Sequence, residues 1–187
     1  KTTNRSEHPL LESVTQGSLQ KIREDAPDHV MGSTTTGGET TPGAVKVGKG
    51  GEYANLDAVV MDAVNELIDV VYQDDDDLVV ICGRELLSDK YFPLVNKEQD
   101  NSEKIAADLI ISQKRMGGLQ AVRAPYFPAN ALLITRLDNL SIYWQEDTRR
   151  RSVIDNPKRD RIENFESVNE AYVVEDYRCA ALVENIE

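Results

Sequence analysis

The longest periodic stretch of the chain begins after Asn55, where Leu56, Val59, Val60, Ala63, Val64, Leu67, Ile68 and Val71 recur at i, i+3, i+4 and i+7. That spacing lays one apolar stripe along a helix. Asn55 suits the N-cap, because its side-chain oxygen can accept an otherwise orphan backbone N–H. The acidic run 74–77 breaks the period. Leu78-Val79-Val80-Ile81-Cys82 then follows as a continuous apolar run of strand length, the texture of a strand covered on both faces. Gly83 turns the chain into a helix over residues 84–92, expected to stop near Pro93, whose ring and missing N–H oppose continuation. A third helix is expected from Ser102 as N-cap. Ile105, Ala106, Leu109 and Ile110 would be its stripe, Lys114 and Arg115 would lie near its negative end, and Gly117-Gly118 would stop it.

On either side of this block the patterning is weaker. Leu11, Val14, Leu19 and Ile22 predict a short helix that Gly17 weakens and Pro27 bounds. Residues 32–51 are rich in Gly, Thr and Ser, which predicts a long flexible loop carrying a brief strand at Ala44-Val45-Lys46-Val47. Beyond Pro125 and Pro128, residues 131–135, 140–144 and 171–174 are strand-like and separated by polar loops, so the last third reads as mainly β. No heptad run or internal repeat is present, which argues against coiled coils and solenoids.

With 187 residues and 40% apolar content, the chain can bury one ordinary core with a smaller layer attached. Its net charge of −12 repels nucleic acid and anionic membranes and points to protein as the partner. No stretch approaches the ~20 apolar residues of a membrane span, and the opening residues lack the order of a signal peptide. The expectation is a soluble intracellular protein with no membrane partner. Cys82 and Cys179 lie far apart with no CxxC partner, which suits free buried thiols. The start at Lys1, without Met, is expected to reflect a piece of something longer.

Several patterns carry candidate chemistry. Gly43-Ala44-Val45-Lys46-Val47-Gly48-Lys49 matches the first seven places of a phosphate-binding loop, in which backbone amides cradle phosphate and the lysine neutralises it. The eighth place is Gly50, where a magnesium-binding hydroxyl is needed, so a plain glycine-rich loop is favoured over a nucleotide site. Asp74, Asp75, Asp76 and Asp77 offer hard-cation oxygens, but consecutive residues do not converge and a solvated turn is favoured. His8 and His29 are the chain's two histidines, too few and too poorly placed for a catalytic or zinc cluster. No catalytic residue, cofactor or metal is therefore assigned. Arg149, Arg150 and Arg151, with Lys158, Arg159 and Arg161, form the basic concentration of an acidic chain. Glu146, Asp147, Asp155, Asp160 and Glu163 interleave with it, which favours salt-bridged subunit contact over a nucleic-acid module. Tyr126, Phe127, Tyr143 and Trp144 read as core or subunit interface.

Three long stretches carry a likeness. GRELLSDKYFPLVNKEQDNSEKIAADLIISQKR at 83–115, APYFPANALLITRLDNLSIYWQEDTRRR at 124–151 and NPKRDRIENFESVNEAYVVEDY at 156–177 resemble the gpN-type major capsid proteins of temperate contractile-tailed phages and prophages. KVGKGGEYANLDAVVMDAVNELI resembles the family as well, which makes the near phosphate loop the family's glycine loop entering its helix. The resemblance implies an α+β Hong Kong 97-like capsid fold, of which this chain is about the C-terminal half. Residues 1–138 would form most of the axial domain, a mixed sheet with flanking helices, and 139–187 a β-rich return into the peripheral domain. It also implies assembly in place of catalysis, with copies packed as hexamers and pentamers in an icosahedral shell built in the bacterial cytoplasm. Scaffold, protease and portal proteins would be its other partners, and DNA would be enclosed without sequence-specific binding. Within that frame, the Arg149 to Arg161 mosaic and the 32–51 loop are the candidate contact regions.

Overall fold

The structure is a computed structural model that describes residues 17–36, 39–95 and 113–187. In chain order, α1 (Ser18–Asp25), β1 (Val30–Met31), β2 (Ser33–Thr36) and β3 (Glu39–Pro42) lead to α2 (Leu56–Leu67) and the single-turn α3 (Val70–Gln73). β4 (Leu78–Cys82), α4 (Arg84–Val95), β5 (Arg115–Met116), β6 (Leu119–Arg123) and β7 (Leu132–Arg136) follow. The chain finishes with β8 (Leu140–Trp144), β9 (Arg150–Asn156), β10 (Arg161–Ser167), β11 (Glu170–Val174) and β12 (Ala181–Val183). Leu11, Val14, His8 and the body of the expected third helix lie outside the described residues.

Five consecutive apolar residues make β4 a strand with no wet face, and the fold uses both of its faces. It lies inside a six-stranded mixed sheet of order β1-β12-β7-β4-β6-β5. Leu78, Val80 and Cys82 join one core with Val59, Val60 and Ala63 of α2 and Leu86, Leu87 and Tyr91 of α4. Val79 and Ile81 join a second core with Leu19 and Ile22 of α1. Period-2 alternation along the strand thus sorts neighbours onto opposite sides of the sheet.

Asn55 caps α2 as expected, its Oδ1 accepting from Ala58 N at 2.9 Å. The apolar stripe ends earlier than its period suggested. Ile68 is extended and Asp69 starts a new helix, its Oδ1 accepting from Val71 N at 3.1 Å while its own N–H donates to Arg178 O at 3.1 Å. Val70 and Val71 are consequently exposed. α4 runs past Pro93 to Val95, the last described residue of this stretch, so the stop expected near Pro93 does not fall at the proline itself. Gly117 and Gly118, read as a helix stop, instead form the turn between β5 and β6, with φ of 58° and 85°. A two-residue hairpin turn with both φ positive is glycine's own conformation.

Where a loop was expected at 32–51, β2 pairs antiparallel with β3 in a register from Ser33↔Pro42 to Thr36↔Glu39. The threonine run supplies the β-branching that favours a strand. The brief strand expected at 44–47 is instead two bridges, Val45↔Ile186 and Val47↔Tyr53. Gly32 sits at φ 86°, and a Cβ there would collide with the backbone carbonyl of Glu184. Glycine at this position lets the end of the chain run alongside β1.

The strands expected at 131–135, 140–144 and 171–174 are present as β7, β8 and β11. β8 and β11 pair from Leu140↔Val174 to Trp144↔Glu170, and β9 and β10 continue from Arg150↔Ser167 to Asn156↔Arg161. Together they make a long two-stranded ribbon interrupted by residues 145–149 on one side and 168–169 on the other. Asn139 holds its root: Nδ2 donates to Thr135 Oγ1 (3.0 Å) and Asp176 O (2.8 Å), and Oδ1 accepts from Asp176 N (2.7 Å). β12, from beyond the ribbon, returns to the sheet between β1 and β7.

Candidate subunit-contact surface

Strand pairing divides the basic cluster between the two ends of the β9–β10 ribbon. Near the root, Arg149 and Arg151 converge on Glu166 at 3.6 and 3.5 Å. At the tip, Arg159 and Arg161 converge on Glu163 at 3.8 and 2.6 Å. Arg150 and Lys158 make no ion pair among the described residues. The six cations therefore do not form one continuous positive patch. Most are matched within the ribbon by exposed pairs of small energy, about 0–1 kcal/mol each.

The same ribbon carries apolar side chains on both faces. Directly opposed residues share a face, so Val153 (opposite Asn164) and Ile162 (opposite Asp155) lie on one side, Ile154 (opposite Glu163) and Phe165 (opposite Ser152) on the other. All four are 49–73% exposed. Sequence reasoning missed β9 and β10 because charged residues break the alternation, and the apolar positions signalled no preferred side. The aromatic group splits. Phe127 packs against the α1 core, whereas Tyr126, Tyr143 and Trp144 are exposed, so the core reading fails for these three. Tyr143 Oη donates to Glu175 at 3.0 Å, and this bond raises the phenol's pKa above its ordinary value.

Elsewhere the candidate chemistry is consumed by the fold. In the near phosphate loop, Val45 N donates to Asn185 O, Val47 N to Glu187 O and Gly48 N to Tyr53 O. Those amides hold the end of the chain and a local turn, so they are not free to cradle phosphate. Asp75 pairs with Arg136 at 3.0 Å and accepts from Asp77 N at 3.0 Å, which makes the acidic run a structured turn. Cys82 and Cys179 are free and buried, and burial pushes the Cys82 thiol up to about 11.

The family model for phage major capsid proteins of the P2 type matches residues 1–186. The chain belongs to this family. It is 61% identical to the capsid protein of Escherichia phage P2 over the whole chain and 52% of that protein. It is 37% identical to the major capsid protein of Serratia phage KSP20, over 98% of the chain and 53% of the relative. This P2-family chain thus spans about half the length of those relatives. Among solved structures it superimposes on a subunit of the satellite phage P4 procapsid, a particle that includes the size determination (Sid) protein. The TM-score is 0.83 at 57% identity, over all of this chain and 55% of that one. The cyanophage A-1(L) capsid matches in fold, with a TM-score of 0.50 and 16% identity over 94% of this chain and 57% of that one. The P2-family chain has the α+β Hong Kong 97-like capsid fold that its sequence implied.

Proposed function

We propose that this chain is the C-terminal half of a phage major capsid protein whose copies pack as hexamers and pentamers into an icosahedral head. The observation that carries the reading is the whole-chain match to a procapsid subunit, TM-score 0.83 at 57% identity. Its work is packing and not catalysis: many modest contacts, summed around closed rings, give a stable shell. The six-stranded sheet with its helices serves as the axial domain, and the ribbon that leaves it at Asn139 belongs to the peripheral layer. The exposed apolar side chains on both ribbon faces support contact there, with Arg149, Arg150, Arg151, Lys158, Arg159 and Arg161 as its charged surround. Scaffold, protease and portal proteins of the same phage are its other partners during assembly in the host cytoplasm. DNA is enclosed without being read, in keeping with the chain's net charge of −12.

The test is to express the full-length parent with its scaffold and portal proteins and image the lysate by electron microscopy. Shells or ring-shaped capsomers are the expected result. A parent that stays monomeric under those conditions overturns the reading.

A further inference from the structure

β2 and β3 form a two-stranded sheet of their own, apart from the six-stranded sheet, so their hairpin is joined to the molecule through its two legs. A two-stranded hairpin standing alone is marginal in water. Its pose therefore depends on what holds the legs. The first leg, Met31-Gly32, and the second, Gly43 to Val47, are both gripped by residues 184–187. Glu184 N donates to Met31 O (2.9 Å) and Asn185 Nδ2 to Gly32 O (2.7 Å). On the other side Val45 N donates to Asn185 O (2.9 Å), Glu187 N to Val45 O (2.9 Å) and Val47 N to Glu187 O (2.7 Å).

Asn185 is the pivot. It takes φ 54°, a left-handed conformation that asparagine tolerates better than most residues. From there its backbone carbonyl reaches one leg while its side-chain amide reaches the other. Gly32 makes room, since a Cβ there would lie 2.0 Å from Glu184 O. Val45 and Ile186 are bridge-paired and both buried in the main core. Arg23 of α1 pairs with Glu184, its Nε 2.9 Å from Oε2, and Ile186 N donates to Asn130 O at 3.0 Å. The grip is thus anchored to α1 and to the loop before β7.

Sequence separation gives this grip an order in time. Asn185 and Gly32 are 153 positions apart, and the loop entropy of so distant a contact makes it slow to form. β1, which leads into the first leg, joins the sheet only through β12. Residues 181–187 therefore recruit β1 and both legs together, well after residues 30–47 have been synthesised.

We propose that residues 184–187 are a strap that fixes the β2–β3 hairpin against the sheet, so that only a chain with β12 already in place presents the hairpin in its final pose. A partly folded chain keeps the hairpin loose, and a segment that must be ordered at the moment of contact binds more weakly. The hairpin fills much of the 32–51 candidate contact region. The strap thereby holds back assembly until the sheet is complete, a consequence that rests on the shell reading above.

Hydrogen exchange on the soluble full-length parent, read by mass spectrometry, tests the strap. Gly32→Ala forces the collision with Glu184 O, and Asn185→Ala loses the amide and strains the left-handed turn. In both variants the amides of residues 43–47 should exchange about a hundredfold faster while β4 and β7 keep their protection. Asn185→Gly, which keeps the turn and loses only the side-chain amide, should show a smaller increase of about tenfold. Unchanged protection at 43–47 in Gly32→Ala and Asn185→Ala overturns the strap, and so does a loss that spreads equally through β4 and β7. Co-expressed with the scaffold and portal proteins, the two alanine variants should yield about tenfold fewer sedimenting shells. A loosened hairpin with an undiminished yield overturns the hold on assembly. An unmodified parent that forms no shells overturns the shell reading and that hold with it, while the exchange result still decides the strap.

Discussion

The six-stranded sheet and the β9–β10 ribbon are both β structure, yet they keep their apolar residues in opposite places. In the sheet, Val80, Leu132, Ile134 and Leu182 have essentially no exposed surface. In the ribbon, Val153, Ile154, Ile162 and Phe165 stand in solvent on two faces. An isolated two-stranded hairpin is at best marginally stable in water. The ribbon's sequence is therefore explained by surfaces beyond the described residues, whereas the sheet is explained by its own helices.

The sharpest way to break this contrast is one truncation in each region. Ile134→Ala should destabilise this chain by about 3 kcal/mol, because it leaves a cavity in a close-packed layer. Ile162→Ala should change it by less than about 0.5 kcal/mol. Urea denaturation of the two variants checks both, and equal losses would mean that the ribbon's faces are covered within this chain.

Asn139 stands at the junction and gives an intermediate effect. Asn139→Ala removes the partner of Thr135 Oγ1, Asp176 N and Asp176 O together, at a cost of about 2 kcal/mol. Amide exchange should then speed up at Asp176 and through β8 and β11 while β4 and β7 stay protected.

The smallest effect is a dependence on pH. The Arg178 guanidinium, helped by the Arg178 amide and the Tyr72 hydroxyl, holds the Asp176 carboxyl down at about 2. Its folded pKa lies below the unfolded value of about 3.9. The stabilisation is therefore complete above that unfolded value and is lost as pH falls through about 2. Asp176→Asn should lower the melting temperature slightly at pH 7, with the gap to the parent chain closing near pH 2. A gap unchanged at pH 2 would assign the effect to packing.

Legibility in the sequence followed burial. β4 was readable because five apolar residues in a row have one structural use, and α2 because its stripe and Asn55 cap agree. β12 was missed: Ala181, Leu182 and Val183 form too short a run to announce a strand that lies deep in the sheet. Gly117-Gly118 misled because two glycines end a helix as readily as they turn a hairpin, and the choice depends on pairing between Arg115 and Gln120. The basic cluster was visible as composition. Its division into two ion-paired ends depends on strand register, which cannot be obtained from spacing along one strand.

The sheet's outermost strands, β1 and β5, are two residues long. Such margins give a stray extended chain almost no ladder to zip onto. For a protein proposed to crowd against many copies of itself, growth by endless strand addition into fibres is thereby discouraged, and contact is left to surfaces whose geometry can close.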